Sequence, residues 1–336
     1  MRAFVVTTPL QGAVHDVAPP VAGPGDVVVD VHRVGVCGTD VEFFTGEMAY
    51  LHQGHAAYPL RLGHEWCGTV AAVAEGVDQA WLGRRVTGDT MIGCGQCHRC
   101  RSGRHNVCET RFEIGVRGLP GALAEQLAVP AVALLALPDT LDDTAGAMVE
   151  PGGNALRAVR AAALAPGDRA LVLGTGAIGL LAAEFARALG ADVHLMAKDR
   201  SAVDLARSLG FGQVWLAAEL PALPWDAVID ASNAASLPAV ALDLVEPGKR
   251  VVYIGLAGRP SLVDTRTLAL KDVTAVGILA ASQGLAGAID RYAVGDVDPR
   301  PLVAATVGLD QVGAVLAGGR PADAGPGPKI HVDPRR

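Results

Sequence analysis

Before residue 130, valine and other apolar residues alternate with polar ones in short runs, and glycine or proline closes each run. Residues 26–31 (Asp-Val-Val-Val-Asp-Val) and 68–73 (Gly-Thr-Val-Ala-Ala-Val) are representative. Side chains of a strand point alternately to its two faces, so this texture predicts an irregular, barrel-like β domain. From Glu150 onward the pattern changes. Helical spacing is expected over 154–163, 176–189, 203–209 and 238–245, and short apolar strands over 169–173, 192–196, 227–230, 250–255 and 273–277. Strands and helices alternating at this spacing predict a parallel sheet covered on both faces. A short helix at 310–316 and a strand at 329–332 are expected to return to the first domain. The predicted division is 1–150 with 291–336, and 151–290.

The 336 residues are half apolar, enough to bury two cores. A net charge of −7 with no long basic run argues against nucleic acid as a partner. Only four of the 28 basic residues are lysine, at 198, 249, 271 and 329. No apolar run is long enough for a membrane span, and the first residues lack a signal-peptide core, so a soluble cytoplasmic protein is expected.

Three constellations carry chemistry. Leu171-Val-Leu-Gly174-Thr-Gly176-Ala177-Ile178-Gly179 runs a strand into G-x-G-x-x-G and a helix, the pattern that cradles a dinucleotide pyrophosphate. At the end of the second strand, where an acid would bind a ribose 2′-hydroxyl, stands Ala197, followed by Lys198, Asp199 and Arg200. Loss of the carboxylate and two nearby cations favour NADP over NAD; a two-residue slip that puts Asp199 in the acidic role would favour NAD.

Cys94, Cys97, Cys100 and Cys108 match a closed four-thiolate zinc site. A redox dithiol and a nucleic-acid zinc ribbon are the competing readings. Cys37, His64, Glu65 and Glu150 are dispersed, yet thiolate, imidazole and carboxylate are the donors of a catalytic zinc.

Cys37-Gly-Thr-Asp40, Gly63-His-Glu65, the four-cysteine lobe, Glu150-Pro and the glycine fingerprint occur in order along nearly the whole chain. Together they resemble the zinc-dependent medium-chain dehydrogenases/reductases, the alcohol, polyol and threonine dehydrogenase superfamily. The resemblance implies an α/β protein with a GroES-like β-rich catalytic domain, a Rossmann doubly wound parallel-sheet domain, and an active site in the cleft between them. It implies two zinc ions per chain, one catalytic on Cys37, His64, Glu65 and Glu150, one structural on Cys94, Cys97, Cys100 and Cys108. Thr39 would pass the alcohol proton outward, Asp40 would orient His64, and Gly174, Gly176, Ala177, Ile178 and Gly179 would hold the pyrophosphate, with Lys198 and Arg200 toward the ribose.

The implied reaction moves a hydride between NADP or NAD and a small-molecule secondary alcohol or ketone: a polyol, sugar, cyclitol or amino alcohol. A homodimer or homotetramer is expected. The rival readings are a non-catalytic dinucleotide-binding accessory protein and a zinc-independent quinone- or enoyl-type reductase. The chain departs from the family pattern at Glu42, where many relatives carry a relay histidine, at Ala74, where glycine is usual, and at Ala197. Between the donor segments, Tyr50, His52, His55 and Tyr58 could form a polar substrate wall or a solvated loop.

Overall fold

The computed structural model describes residues 1–336, which form two compact units. The first comprises 1–150 and 299–336, and the second 151–298.

A seven-stranded sheet organises the first unit. Its strands run in the order Leu134–Ala136, Arg85–Gly88, Glu65–Val73, Asp26–Gly35, Lys329–Val332 and Val303–Val307, and Gln126–Pro130 also pairs with Asp26–Gly35. The alternation along 26–31 is only partly realised: Val27, Val29 and Val31 are fully buried and Asp30 stays in solvent, but Val28, of the opposite parity, is buried as well. They pack with Phe4, Phe43, Trp66, Leu123 and Leu127 into one core. The strand Lys329–Val332 is antiparallel to Asp26–Gly35 and parallel to Val303–Val307, so the far end of the chain completes the sheet begun by residue 26. A small three-stranded sheet, Met91–Ile92, Phe112–Ile114 and Gly118–Leu119, lies beside the cysteine loop in sequence.

The second unit is a six-stranded parallel sheet in the order Val214–Leu216, Asp192–Ala197, Arg169–Leu173, Trp225–Asp230, Val245–Tyr253, Thr274–Gly277. Numbered along the chain this is 3-2-1-4-5-6, the doubly wound order, with its reversal between Arg169–Leu173 and Trp225–Asp230. Arg169–Leu173 is buried nearly throughout, as a central parallel strand must be. The helix Ala177–Ala188 follows it and buries Leu180, Leu181, Ala183 and Phe185. The α/β class and both domain types expected from the sequence are therefore present.

Pattern reading passed over the edge strand Val214–Leu216 and the helices Thr265–Leu270 and Leu285–Val294. The helix Arg200–Ser208 starts three residues earlier than its apolar spacing suggests, because Asp199 caps it through a bond from the Ala202 amide. No helix is long and apolar enough to cross a membrane.

Candidate active site and metal centres

In the first unit, the donor-bearing residues lie at the ends of two elements. Cys37 is the N-cap of the helix Gly38–Thr45, and His64 and Glu65 stand at the start of Glu65–Val73. Donor atoms of Cys37, His64 and Glu65 lie within 4.8 Å of one another. Asp40 ties the two elements together from a fully buried position. Its Oδ2 accepts from the Cys37 amide at 2.9 Å and its Oδ1 from the Gly63 amide at 3.1 Å. The same Oδ1 faces His64 Nδ1 at 3.5 Å. Burial alone would raise the Asp40 pKa, but His64 and the two amides bring it below the usual value. Burial likewise pushes His64 down, and the negative charge of Asp40, with Cys37, carries it well above its ordinary value.

Both oxygens of Glu65 accept from Lys329 Nζ, at 2.7 and 2.8 Å, and the same ammonium donates to the Val36 carbonyl. Burial works against the Lys329 charge, but Glu65, Cys37 and Glu150 together raise its pKa. Gly35 makes room for this pair, since a β-carbon there would stand 2.1 Å from Glu65 Oε2. Glu150 is buried in the first turn of Val149–Ala162 and belongs to the same electrostatic group, although not to the three-donor cluster. The thiol of Cys37 and the carboxyls of Glu65 and Glu150 surround one ammonium, a donor-rich group that a divalent cation would complement. The donor set thus fits the zinc that its composition implies.

Thr39 is half-buried, two residues beyond the N-cap Cys37. Glu42, one turn further along the helix, has its carboxyl raised by burial and then by Glu47. Lys329 is the group that sequence reading missed. Its signal was its rarity, one of only four lysines, within a short strand that is buried at every position.

The four cysteines converge as well, all within 4.8 Å. The Sγ atoms of Cys94 and Cys100 are 4.0 Å apart and those of Cys97 and Cys108 are 3.9 Å apart. A tetrahedron with metal–sulfur bonds of about 2.3 Å has edges of roughly 3.8 Å, so the cage has the size of a zinc tetrathiolate. The Cys97 amide points at Cys94 Sγ and the Cys100 amide at Cys97 Sγ. Amide donation from Cys94, followed by the Thr110 hydroxyl, pulls Cys108 down to about 6. Asp89 and His105, 2.7 Å apart, brace the loop. Cys67, outside both sets, is buried with its thiol pushed up, which makes it an unreactive filler.

In the second unit, Gly174, Gly176 and Gly179 sit at the carboxyl end of Arg169–Leu173. Gly174 has φ +104°, and a β-carbon on Gly179 would meet the Gly174 carbonyl at 2.0 Å. Gly176 caps the helix Ala177–Ala188, and its missing β-carbon faces open space, where a phosphate could approach the backbone. Ala177 and Ile178 form the first turn of that helix.

Ala197 ends its strand buried. Asp199 Oδ1 accepts from the Ser201 hydroxyl and the Ala202 amide, capping the helix that follows. Arg200 is paired with Glu219 at 2.6 Å, whereas Lys198 is exposed, its nearest carboxylate Asp199 at 3.7 Å. The four rings of 50–58 divide differently from the sequence reading. The Tyr58 hydroxyl donates to the Phe43 carbonyl and the Tyr50 hydroxyl to Glu113, while His52 and His55 are exposed.

Comparison with known proteins agrees with this geometry. The alcohol dehydrogenase GroES-like domain matches residues 23–139 and the zinc-binding dehydrogenase domain residues 177–293. An L-threonine 3-dehydrogenase of Deinococcus deserti is 32% identical over 276 residues, 78% of this chain and 79% of that protein. That of Idiomarina loihiensis is 38% identical over 197 residues, 58% of this chain and 56% of its own. Among solved structures, RspB of Escherichia coli CFT073, complexed with NADH, superposes with a TM-score of 0.90 at 25% identity, covering 99% of each chain. A zinc-binding dehydrogenase of Sinorhizobium meliloti bound to NADP gives a TM-score of 0.89 at 28% identity, again over 99% of each.

Proposed function

This chain belongs to the zinc-type medium-chain dehydrogenases/reductases, and from that premise we propose that it interconverts a secondary alcohol bearing neighbouring polar groups with its ketone, using zinc and a nicotinamide dinucleotide. The observation that carries the reading is the convergence of Cys37, His64 and Glu65, with half-buried Thr39 two residues beyond Cys37.

Cys37 and His64, with a carboxylate from Glu65 or Glu150, would hold a zinc that supplies Lewis acidity at a substrate oxygen. Bound nicotinamide would supply the hydride acceptor or donor, the protein contributing position and electrostatics. Thr39 Oγ1 takes the substrate hydroxyl proton and gives up its own to water or to the Glu42 carboxylate. Asp40 holds His64 in one orientation, the role such partners commonly play. Lys329 balances the carboxylates around the donor set. Cys94, Cys97, Cys100 and Cys108 would hold a second zinc that fixes their loop.

The glycine turn 174–179 receives the pyrophosphate at the head of Ala177–Ala188. The substrate reading, an amino alcohol or polyol, draws support from the threonine dehydrogenase relatives. NADP is favoured because Ala197 offers no carboxylate, Asp199 is engaged in capping, and Lys198 is open to a 2′-phosphate. Arg200 contributes less than Lys198 while Glu219 holds it.

The test is reduction of NADP+ and NAD+ by zinc-loaded protein across polyols, sugars, cyclitols, threonine-like amino alcohols and simple alkanols. C37S and H64A should each abolish turnover and retain dinucleotide binding. Unchanged turnover in H64A overturns the active-site reading.

A further inference from the structure

Arg111, Glu113 and Tyr50 form a closed triangle in the first unit. Arg111 Nε donates to Glu113 Oε1 at 2.8 Å, an Arg111 terminal nitrogen donates to the Tyr50 hydroxyl at 3.0 Å, and that hydroxyl donates to the same Glu113 oxygen at 3.2 Å. The two charged side chains are 13% and 4% exposed. An ion pair this deep usually stabilises little relative to an apolar pair. Here it grips a phenol from a segment 61 positions away. The proton direction is fixed: Tyr50 accepts from the cation and donates to the anion.

The triangle also has an address. Phe112–Ile114 is hydrogen-bonded to the stretch before Met91 through the Ile114 amide and the Thr90 carbonyl. The Thr90 hydroxyl in turn reaches the His64 carbonyl at 3.4 Å, and Gly115 lies against Gly63 so closely that a β-carbon would stand 2.6 Å from its oxygen. At its other end the segment is tied by Tyr58 to Phe43, on the helix that Cys37 caps. The segment 50–58 is thus anchored at one end to the strand beside His64 and at the other to the helix headed by Cys37. Ring packing of His55 on Tyr50, edge to face with centroids 5.6 Å apart, transmits that anchoring to the exposed histidine.

We infer that Arg111 and Glu113 are positioning residues for substrate selection: by clasping Tyr50 they fix the segment 50–58, and with it His55, as a wall beside the donor set that recognises the polar groups next to the reacting carbinol. The inference rests on the dehydrogenase reading above. Neither residue touches the reacting atoms, so their loss acts on substrate binding rather than on chemistry.

The experiment compares R111M, R111K, E113Q and Y50F with the unaltered zinc-loaded protein. It measures kcat and KM for the best polyhydroxylated or amino-alcohol substrate and for a plain secondary alkanol, together with amide hydrogen exchange across 47–60. Expected is a KM for the polar substrate raised about tenfold or more in R111M and E113Q, about 1.4 kcal/mol of binding. Their kcat should stay within about twofold, the KM for the alkanol should not move, and exchange across 47–60 should quicken. R111K should recover part of the loss. Two results overturn the inference: faster exchange with both KM values unchanged, or equal losses for the two alcohols. Unaltered protein that oxidises no alcohol defeats the dehydrogenase reading and the wall with it, and the exchange data then judge the clasp alone.

Discussion

Lys329 holds Glu65 by both carboxylate oxygens, at 2.7 and 2.8 Å, in a pair that solvent scarcely reaches. Removing one partner of such a pair leaves a buried charge without compensation, at a cost of about 3–5 kcal/mol. K329M should therefore lower the stability of the metal-free protein by about that amount in urea unfolding. The double variant K329M/E65M should recover much of it, since two apolar groups in place of a buried pair are often tolerated. A K329M protein as stable as its parent would show that the pair contributes nothing to the fold.

The cysteine loop makes a separate claim. C100A should reduce bound zinc from two per chain to one, read by atomic emission on protein purified without chelator. The thermal midpoint should fall by roughly 4–8 °C, which corresponds to about 2 kcal/mol in domains of this size. Dinucleotide affinity should not change, because the glycine turn lies in the other unit.

Cofactor choice should follow Lys198 more than Arg200. K198A should weaken NADP+ binding about tenfold, equivalent to about 1.4 kcal/mol, with NAD+ binding unmoved. R200A should have a smaller effect, because Glu219 already engages that guanidinium. E219Q should release it and tighten NADP+ binding. Fluorescence titration of each variant with both dinucleotides decides the order; a stronger effect of R200A than of K198A would reverse the assignment.

Asp143 supplies a pH-dependent element away from the metal donors. His32 hydrogen-bonds it at 3.4 Å, Arg85 at 3.0 Å, and Arg335 stands 3.9 Å off, while its own carbonyl accepts from the Cys67 thiol. Hydrogen bonding by His32, against the opposing effect of burial and with help from Arg85, holds this carboxyl far below the usual range. A carboxyl with a depressed folded-state pKa stabilises the protein above its unfolded value, near 3.9, and that contribution disappears as pH falls through the folded value. D143N should cost about 1.5–3 kcal/mol at pH 7, the scale of hydrogen bonds to a charged group. The gap between variant and parent should narrow below about pH 4. Urea midpoints at pH 7 and pH 3 test this; a gap that stays constant between them would contradict it.

What could be seen in the sequence was local. Gly174 to Gly179 announces itself because strand, turn and helix are contiguous, and Cys94 to Cys108 because four ligands share one loop. The strand order of the second unit follows from short crossovers whose handedness is nearly fixed. Lys329 could not be paired with Glu65 from spacing, because a contact across 264 positions leaves no periodic trace. The Arg111–Glu113 pair gives no sign in sequence that Tyr50, 61 positions away, joins it. Asp199 was readable as a ribose ligand or as a helix cap, and its Oδ1 does accept the capping bonds from Ser201 and Ala202.

The strand Lys329–Val332 has a consequence for how the molecule is made. It takes an interior place in a sheet whose other strands, apart from Val303–Val307, are synthesised before residue 137. At 5–20 residues per second, about 13–50 s separate the appearance of Glu65 from that of its counter-ion. During that interval the second unit can close on its own contiguous chain, whereas the donor set waits with an exposed sheet edge and an unbalanced carboxylate. Completion of the first unit is thus timed by the strand Lys329–Val332 rather than by Cys37, His64 and Glu65 themselves.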